Sequence, residues 1–376
     1  MYNKEVKDIK ISQRISGIDS LRGIAAIIMA LFHANSAFGL NFNVPNFRLD
    51  IFFILSGIIM ALVYEDKIYS GKINFKDYFV KRISRLLPLH YITLFLTLIL
   101  FILYIISGKS YLVPPESNIF TFFLHLFLLQ NIGLTETLTW NYVSWSISAQ
   151  IIIETIWFYF LYKKNKSSYL YLFVIIICMF IIIKSFGLGF VDVASNPSII
   201  YINAGMLRYL MDFCIGVLIY RFFCVRFKMF YMIPNYILNV ISLIIMIYLI
   251  TIWTFKNLYF EGSDFVNALF VYPLLICICI NNKTILSKII NTYFLSYLGK
   301  IAYSIFLIHP LIIVLSWKIQ KYFDFHWILL LCLYYFILIV ASHLSYNFIE
   351  IPGARLVNKI FEKVKKRKNY VIKINN

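Results

Sequence analysis

Apolar residues recur along this chain in blocks long enough to cross a bilayer, separated by short polar stretches. The pattern predicts ten membrane-spanning helices, near residues 20–38, 49–65, 83–106, 145–162, 169–185, 206–222, 236–254, 264–281, 298–317 and 327–349. A further apolar stretch, IFTFFLHLFLLQ at 119–130, falls short of the roughly 20 residues a span needs and is expected as a re-entrant or interfacial helix. The expected fold is therefore all-α: a polytopic membrane helical bundle of about ten transmembrane helices, with both termini cytoplasmic. The start, MYNKEVKDIKISQRISGID, is too long and polar for the charged region of a cleavable signal, so the first apolar run is expected as a retained helix. No internal repeat or low-complexity linker is visible, and the outer loops 107–144 and 186–205 are too short to fold alone. The expected division is a membrane-embedded domain over 1–356 and a basic cytoplasmic tail over 357–376.

Composition agrees, with 61% hydrophobic and 14% charged residues. A net charge of +18 would suggest a nucleic-acid partner in a soluble protein, but its distribution argues for topology. With ten spans, the inner segments collect Lys4, Lys7, Lys10, Arg14, the cluster from Lys67 to Arg85, Lys163, Lys164, Lys166, Arg221, Arg226, Lys228, Lys283, Lys288 and the run KVKKRK. The outer side keeps Arg48, Lys109, Lys256, Lys318 and Lys321. Counting 119–130 as a span would reverse this for KKNK and the inner loops after it, against the positive-inside bias. Membrane lipids, and no nucleic acid, are the expected partners of the basic residues. Cys178, Cys214, Cys224, Cys277, Cys279 and Cys332 lie in or at the end of apolar runs and read as small buried hydrophobes; no metal site is expected.

Charged and titratable residues inside such runs carry the chemistry, because an unpartnered charge there is costly. In DSLRGIAAIIMALFHAN, Arg22 and His33 are three turns apart on one helix face, about 16 Å along the axis. Arg82 and Arg85 share a face at the inner end of the third helix, at the depth of Arg22, and Pro88 is expected to bend that helix. Three arginines at one depth suit phosphate, which guanidinium forks bind bidentately. A cation at the inner mouth and an imidazole deep inside suit acyl-coenzyme A, whose phosphates and thioester lie at opposite ends of a narrow arm. The alternative remains open that the arginines snorkel to lipid phosphate and His33 is structural.

IDSLRGIAAIIMALFH, LDIFFILSGI, RISR, VSWSISAQ, MDFCIGVLIYR, LGKIAYSIFLIHP and FIEIPGARL occur in the order found in acyltransferase family 3, which this chain resembles from about residue 17 to 355. Those are integral membrane O-acyltransferases, many of which acetylate bacterial surface polysaccharides. The resemblance implies an essential histidine at His33 and donor-binding arginines at Arg22, Arg82 and Arg85. One departure stands out: WSISAQ has Gln150 where the family has glutamate. Glutamine carries no charge and takes no proton. Glu154, one turn further on, is the nearest acid on that face, and Gln150→Glu is expected to be tolerated.

Depth along the helices lets Gln150 and His33 face each other, with Trp145 at the outer interface as an anchor. His309, before Pro310, either lines a channel or packs against a freed carbonyl. Asp19 or Ser20 is expected to cap the first helix or, for Asp19, to pair with an inner arginine. Glu350 reads as a structural ion-pair partner. Ser56, Ser146 and the Gln150 amide are the possible oxyanion donors. The expected reaction moves an acyl group, acetyl by resemblance, from cytoplasmic acyl-CoA to a hydroxyl of an extracytoplasmic or lipid-linked glycan at a bacterial inner membrane. His33 is the base, acetyl-CoA is the donor substrate, and no cofactor is bound permanently. A transporter or flippase for an anionic or lipid-linked sugar is the rival reading, weakened by the lack of a broken-helix inverted repeat.

Overall fold

The computed structural model describes residues 2–40, 47–107, 116–164, 167–188, 196, 200, 202–222, 233–255, 260–281, 283–323 and 325–374. Cys224, Lys109, Lys166, Arg226, Lys228 and Lys256 lie outside these residues, as do the side chains of Lys4, Lys7, Lys10, Arg14, Arg48 and of residues 366–376.

The described chain is all-α, with no strand among its elements. In order these are α1 (Tyr2–Ala37), α2 (Phe47–Met60, continued through a π turn at Ala61–Glu65 and Asp66–Tyr69) and α3 (Phe75–Ile106). Then come α4 (Ile119–Leu126), α5 (Trp145–Tyr162), α6 (Tyr169–Phe186), α7 (Ala204–Ile219) and α8 (Asn235–Thr254). α9 joins Ser263–Val266, a π turn at Asn267–Val271 and Tyr272–Asn281. α10 (Ile285–Ile290), α11 (Tyr293–Lys300), α12 (Ala302–Phe323) and α13 (Trp327–Ser345) come next. A π turn at Tyr346–Glu350 leads into α14 (Ile351–Ile374), which runs unbroken past residue 356.

Seven of these helices are long and apolar enough to cross a membrane: α1 from Ser16, α3, α6, α8, α9, α12 and the helix beginning at Trp327. Together they make this a multi-pass membrane protein, because a backbone that satisfies itself internally is what hydrocarbon demands. The other three expected spans are helical too, as α2, α5 and α7, and they hold the buried charges Asp50, Glu65, Glu154, Arg208 and Asp212. The eight residues of α4 rise about 12 Å, too little to cross. α3 starts at Phe75, eight residues earlier than expected, because the Asn74 side chain caps it by accepting from Asp77 N, and it runs on through Pro88. Helix α1 likewise reaches back to Tyr2, so neither Asp19 nor Ser20 is a cap.

Packing is closest where glycines let backbones touch. A β-carbon on Gly216 of α7 would collide with the Ile54 carbonyl oxygen of α2, and one on Gly57 with the Phe213 carbonyl. Gly23 of α1 meets α11 in the same way, its β-carbon position 2.6 Å from the Leu295 carbonyl oxygen. Cys178, Cys214, Cys277 and Cys279 are buried as expected, whereas Cys332 of α13 is exposed.

The segment after α4 is fixed by polar contacts rather than by a regular element. His125 Nε2 bonds Thr139 Oγ1 at 3.0 Å, and its Nδ1 meets Ser144 Oγ at 3.1 Å. Gln130 donates to the Ser144 carbonyl at 2.8 Å, and Asn141 to Thr93 Oγ1 at 3.0 Å. Leu128 and Trp140 take positive φ, 57° and 45°, to make the fold-back. The result delivers residues 138–145 into the bundle.

Candidate active site

Two cavities among the described residues bear on the expected chemistry. The first, about 840 Å³ with its mouth, is lined by Arg22, Arg82, Arg85, Ser56, Ser146, Gln150, Glu154, Tyr209 and Tyr303 among others. All three arginines expected to bind phosphate therefore face one space. They are not equivalent. Arg82 donates from Nε and Nη2 to Glu154 Oε2 and Oε1 at 2.7 and 2.8 Å, a bidentate pair with both side chains largely buried. Arg22 stands 3.7 Å from Asp19, and Arg85, 48% exposed at the mouth, stands 3.7 Å from Glu350. The looser pairs leave those two guanidinium groups oriented yet able to take a phosphate.

Glu154 is the hub of this cavity. Besides Arg82, its Oε1 accepts from Gln150 Nε2 at 2.9 Å and from Tyr209 hydroxyl at 3.4 Å, and its backbone carbonyl accepts from Tyr78 hydroxyl at 2.9 Å. Gln150 thus turns toward Glu154, one helical turn along α5. Ser56 Oγ donates to the Phe52 carbonyl at 2.9 Å and Ser146 Oγ to the Val143 carbonyl at 3.4 Å, so both hydroxyls are engaged by nearby backbone. Glu350 accepts from Ser304 Oγ at 3.1 Å, and it sits in the π turn that re-aims the chain between α13 and α14.

His33 lines the second cavity, about 560 Å³ with its mouth, together with Met29, Phe32, Leu49, Leu138, Tyr142, Val143, Trp145, Arg208 and Phe306. Leu49 and Phe306 line both cavities and so form a wall that the two share. The His33 ring is stacked on His309, centroids 5.1 Å apart at 26°, and meets Tyr142 edge-on at 5.2 Å. His309 is fully buried; its Nδ1 donates to the Ile305 carbonyl at 3.3 Å, and its Nε2 has no partner among the described residues. Trp145 is buried inside the bundle, edge-on to Phe53 at 5.9 Å, rather than at an interface. The fold-back after α4 places it there.

The structure brings Arg22, Arg82, Arg85, Gln150, Glu154, Ser56 and Ser146 together in one cavity, and His33, Trp145 and His309 around the other. The expected facing of Gln150 and His33 is replaced by these two groupings. Asp19 borders the first through Arg22. Sequence reasoning missed two buried pairs, one of them Arg221 with Glu65 at 2.8 Å. Arg208 of α7 donates from Nε and Nη2 to Asp50 of α2 at 2.6 and 2.9 Å, deep in the bundle. The signal was present in the sequence, since each is a charge of opposite sign inside an apolar block.

Residues 15–346 match the acyltransferase domain of acyltransferase family 3, and the chain belongs to that family. It is a membrane acyltransferase. It is 28% identical over 155 residues to "Protein 2 in picA locus" of Rhizobium radiobacter, a match covering 39% of this chain and 81% of that protein. It is 37% identical over 95 residues to "Putative peptidoglycan O-acetyltransferase YrhL" of Bacillus subtilis (strain 168), covering 24% of this chain and only 14% of that protein. No solved structure matches.

Proposed function

We infer that the chain is a bacterial inner-membrane O-acetyltransferase that moves an acetyl group from cytoplasmic acetyl-CoA to a hydroxyl of an extracytoplasmic or lipid-linked glycan. The observation that carries this reading is the pair of neighbouring cavities that share Leu49 and Phe306, one lined by arginines and the other by His33. Phosphates of the donor rest on Arg22 and Arg85, while Arg82, clamped by Glu154, shapes the floor. The acyl arm passes between Leu49 and Phe306 to His33. The concentration of Lys and Arg at the arginine end supports a cytoplasmic placement for that mouth and for both termini, with residues 357–376 as a basic tail. The name of the Bacillus relative supports acetyl as the group and a cell-wall glycan as the acceptor class.

In the reaction, the acceptor hydroxyl arrives at His33 from the far cavity, and neutral His33 takes its proton as the oxygen attacks the thioester carbonyl. The tetrahedral intermediate collapses with cleavage of the carbon–sulfur bond. The coenzyme A thiolate leaves and recovers the proton from the imidazolium, which restores neutral His33. His309 stacks on the ring throughout and fixes its plane.

Purified protein given labelled acetyl-CoA and cell-wall glycan is expected to release free thiol and place label on the sugar. His33→Ala is expected to abolish transfer while coenzyme A binding survives, because the arginines line the other cavity. Glycan uptake into sealed vesicles without thiol release would overturn the reading in favour of a transporter.

A further inference from the structure

We propose that α14 lies along the membrane surface beside the mouth of the arginine cavity, with one face embedded in anionic phospholipid. This placement is independent of the reaction the cavities perform.

The face of α14 that meets protein is fixed by its contacts with the start of α3. Lys76 Nζ lies 5.0 Å from the centre of the Phe361 ring, and Lys365 donates to Asp77 Oδ1 at 3.0 Å. Asn358 donates to Ser84 Oγ at 3.2 Å, and Gly353 sits so close to Pro88 that a β-carbon there would collide with the proline ring. The two helices therefore pack antiparallel, residue 353 beside 88 and residue 365 beside 77. A step of one residue turns a helix by about 100°, and a spacing of four keeps side chains in one row. One residue back from Phe361 and Lys365 runs a second row, Leu356, Ile360 and Val364, which are 58, 54 and 52% exposed. One residue back again runs a third, Arg355, Lys359 and Lys363, also exposed. Glu362, the one acid of α14, falls on the side of the helix away from Ile360.

Round the helix, the order is thus protein contact, apolar stripe, basic margin. A stripe of this kind suits a bilayer surface: the apolar side chains enter hydrocarbon, and Lys and Arg reach from its edge to lipid phosphate. Charge argues against a second copy of the chain on the same face, because a self-complementary contact would set the two basic rows against each other. Position agrees with lipid. The helix beginning at Trp327 is one of the membrane-crossing helices and runs through the π turn into α14. Its residues Phe336, Val340, Leu344 and Phe348 are exposed at the same spacing of four. At the end of that turn Glu350 stands 3.7 Å from Arg85, so α14 begins where the arginine cavity opens.

The test replaces Leu356, Ile360 or Glu362 in turn by the photoreactive residue benzoylphenylalanine in the full-length protein. Each variant is placed in phosphatidylcholine vesicles that hold a minor share of phosphatidylglycerol, illuminated, and its adducts are read by mass spectrometry. Lipid adducts are expected at 356 and 360, with few at 362. Phosphatidylglycerol is expected among them at about fivefold its share of the vesicle, the attraction of one basic side chain at an anionic surface. Arg355→Gln combined with Lys359→Gln and Lys363→Gln should return it to that share while total lipid adducts persist. A dimer cross-link at 356 and 360, a cross-link within the chain, or no adduct at either site would overturn the proposal. So would phosphatidylglycerol adducts in simple proportion to its share, or an enrichment that survives removal of the three charges. If neither stripe variant folds, the stripe packs against protein and the proposal falls as well.

Discussion

At the scale of single residues, Glu154 changes the meaning of the family departure at Gln150. A glutamine at 150 gives Glu154 a hydrogen bond at 2.9 Å, whereas a glutamate would set two carboxylates against each other beside a guanidinium already committed to one of them. The geometry therefore reverses the expectation from family resemblance. Gln150→Glu should lower transfer by about tenfold, the equivalent of about 1.4 kcal/mol of like-charge interaction. Unchanged rates per extracted protein would refute the pairing argument. Glu154→Gln removes one partner of a buried bidentate pair, which in buried pairs costs about 3–5 kcal/mol, so its main effect should be a loss of folded protein in detergent. Arg85 behaves differently because it is exposed and loosely paired. Arg85→Gln should leave protein levels unchanged and weaken intact coenzyme A far more than a pantetheine fragment without the nucleotide. Equal losses for the two ligands, measured by calorimetry, would remove Arg85 from phosphate recognition.

At the scale of elements, the helices were legible because a bilayer sets their length and forbids an unsatisfied backbone, so the apolar blocks alone locate them. Structure built from polar sequence was not legible in this way. The extension of α1 back to Tyr2 and the run of α14 past residue 356 carry no apolar block of spanning length. The stretch from 131 to 144 has no period at all, yet it forms part of the His33 cavity through a network around His125 that exists only after folding. Partner choice was equally hidden: arginines and acids in apolar surroundings read alike until packing joins Arg82 to Glu154 and Arg208 to Asp50. The second of these joins depends on how closely α2 and α7 approach, which Gly57 and Gly216 permit. Gly216→Ala forces its β-carbon into the Ile54 carbonyl, and backbone cannot yield as a side-chain end does. Separation of the helices should stretch the Asp50–Arg208 contact. The expected outcome is a lower melting temperature in detergent together with a fall in transfer, while coenzyme A binding at the arginine cavity persists. A variant with wild-type stability and rate would mean that the two helices are not held at this distance.

At the scale of the whole molecule, the proposed function requires two substrates of opposite character to meet without a path opening across the membrane. The arginine cavity suits a polyanion, the His33 cavity is largely aromatic and aliphatic, and Leu49 of α2 and Phe306 of α12 line both. Phe306 is buried, tilts against Phe52 with centroids 6.4 Å apart and reaches the His309 ring at 6.2 Å. A side chain in that position can admit a thin acyl arm while excluding the nucleotide on one side and the glycan on the other. Size at residue 306 should therefore control coupling. Phe306→Trp is expected to hold the thioester short of His33 and cut glycan transfer by about 10²-fold, the scale of loss a misplaced reacting centre produces, with coenzyme A affinity retained. Phe306→Ala should do the reverse at the junction. It widens the passage, admits water to the thioester and raises thiol release relative to label found on sugar. The ratio of thiol released to sugar acetylated therefore separates the variants: near one in wild type and in the few turnovers of the tryptophan variant, and well above one for alanine. If both variants leave that ratio and the transfer rate unchanged, the acyl group does not pass between Leu49 and Phe306, and the route joining the cavities lies elsewhere in the bundle.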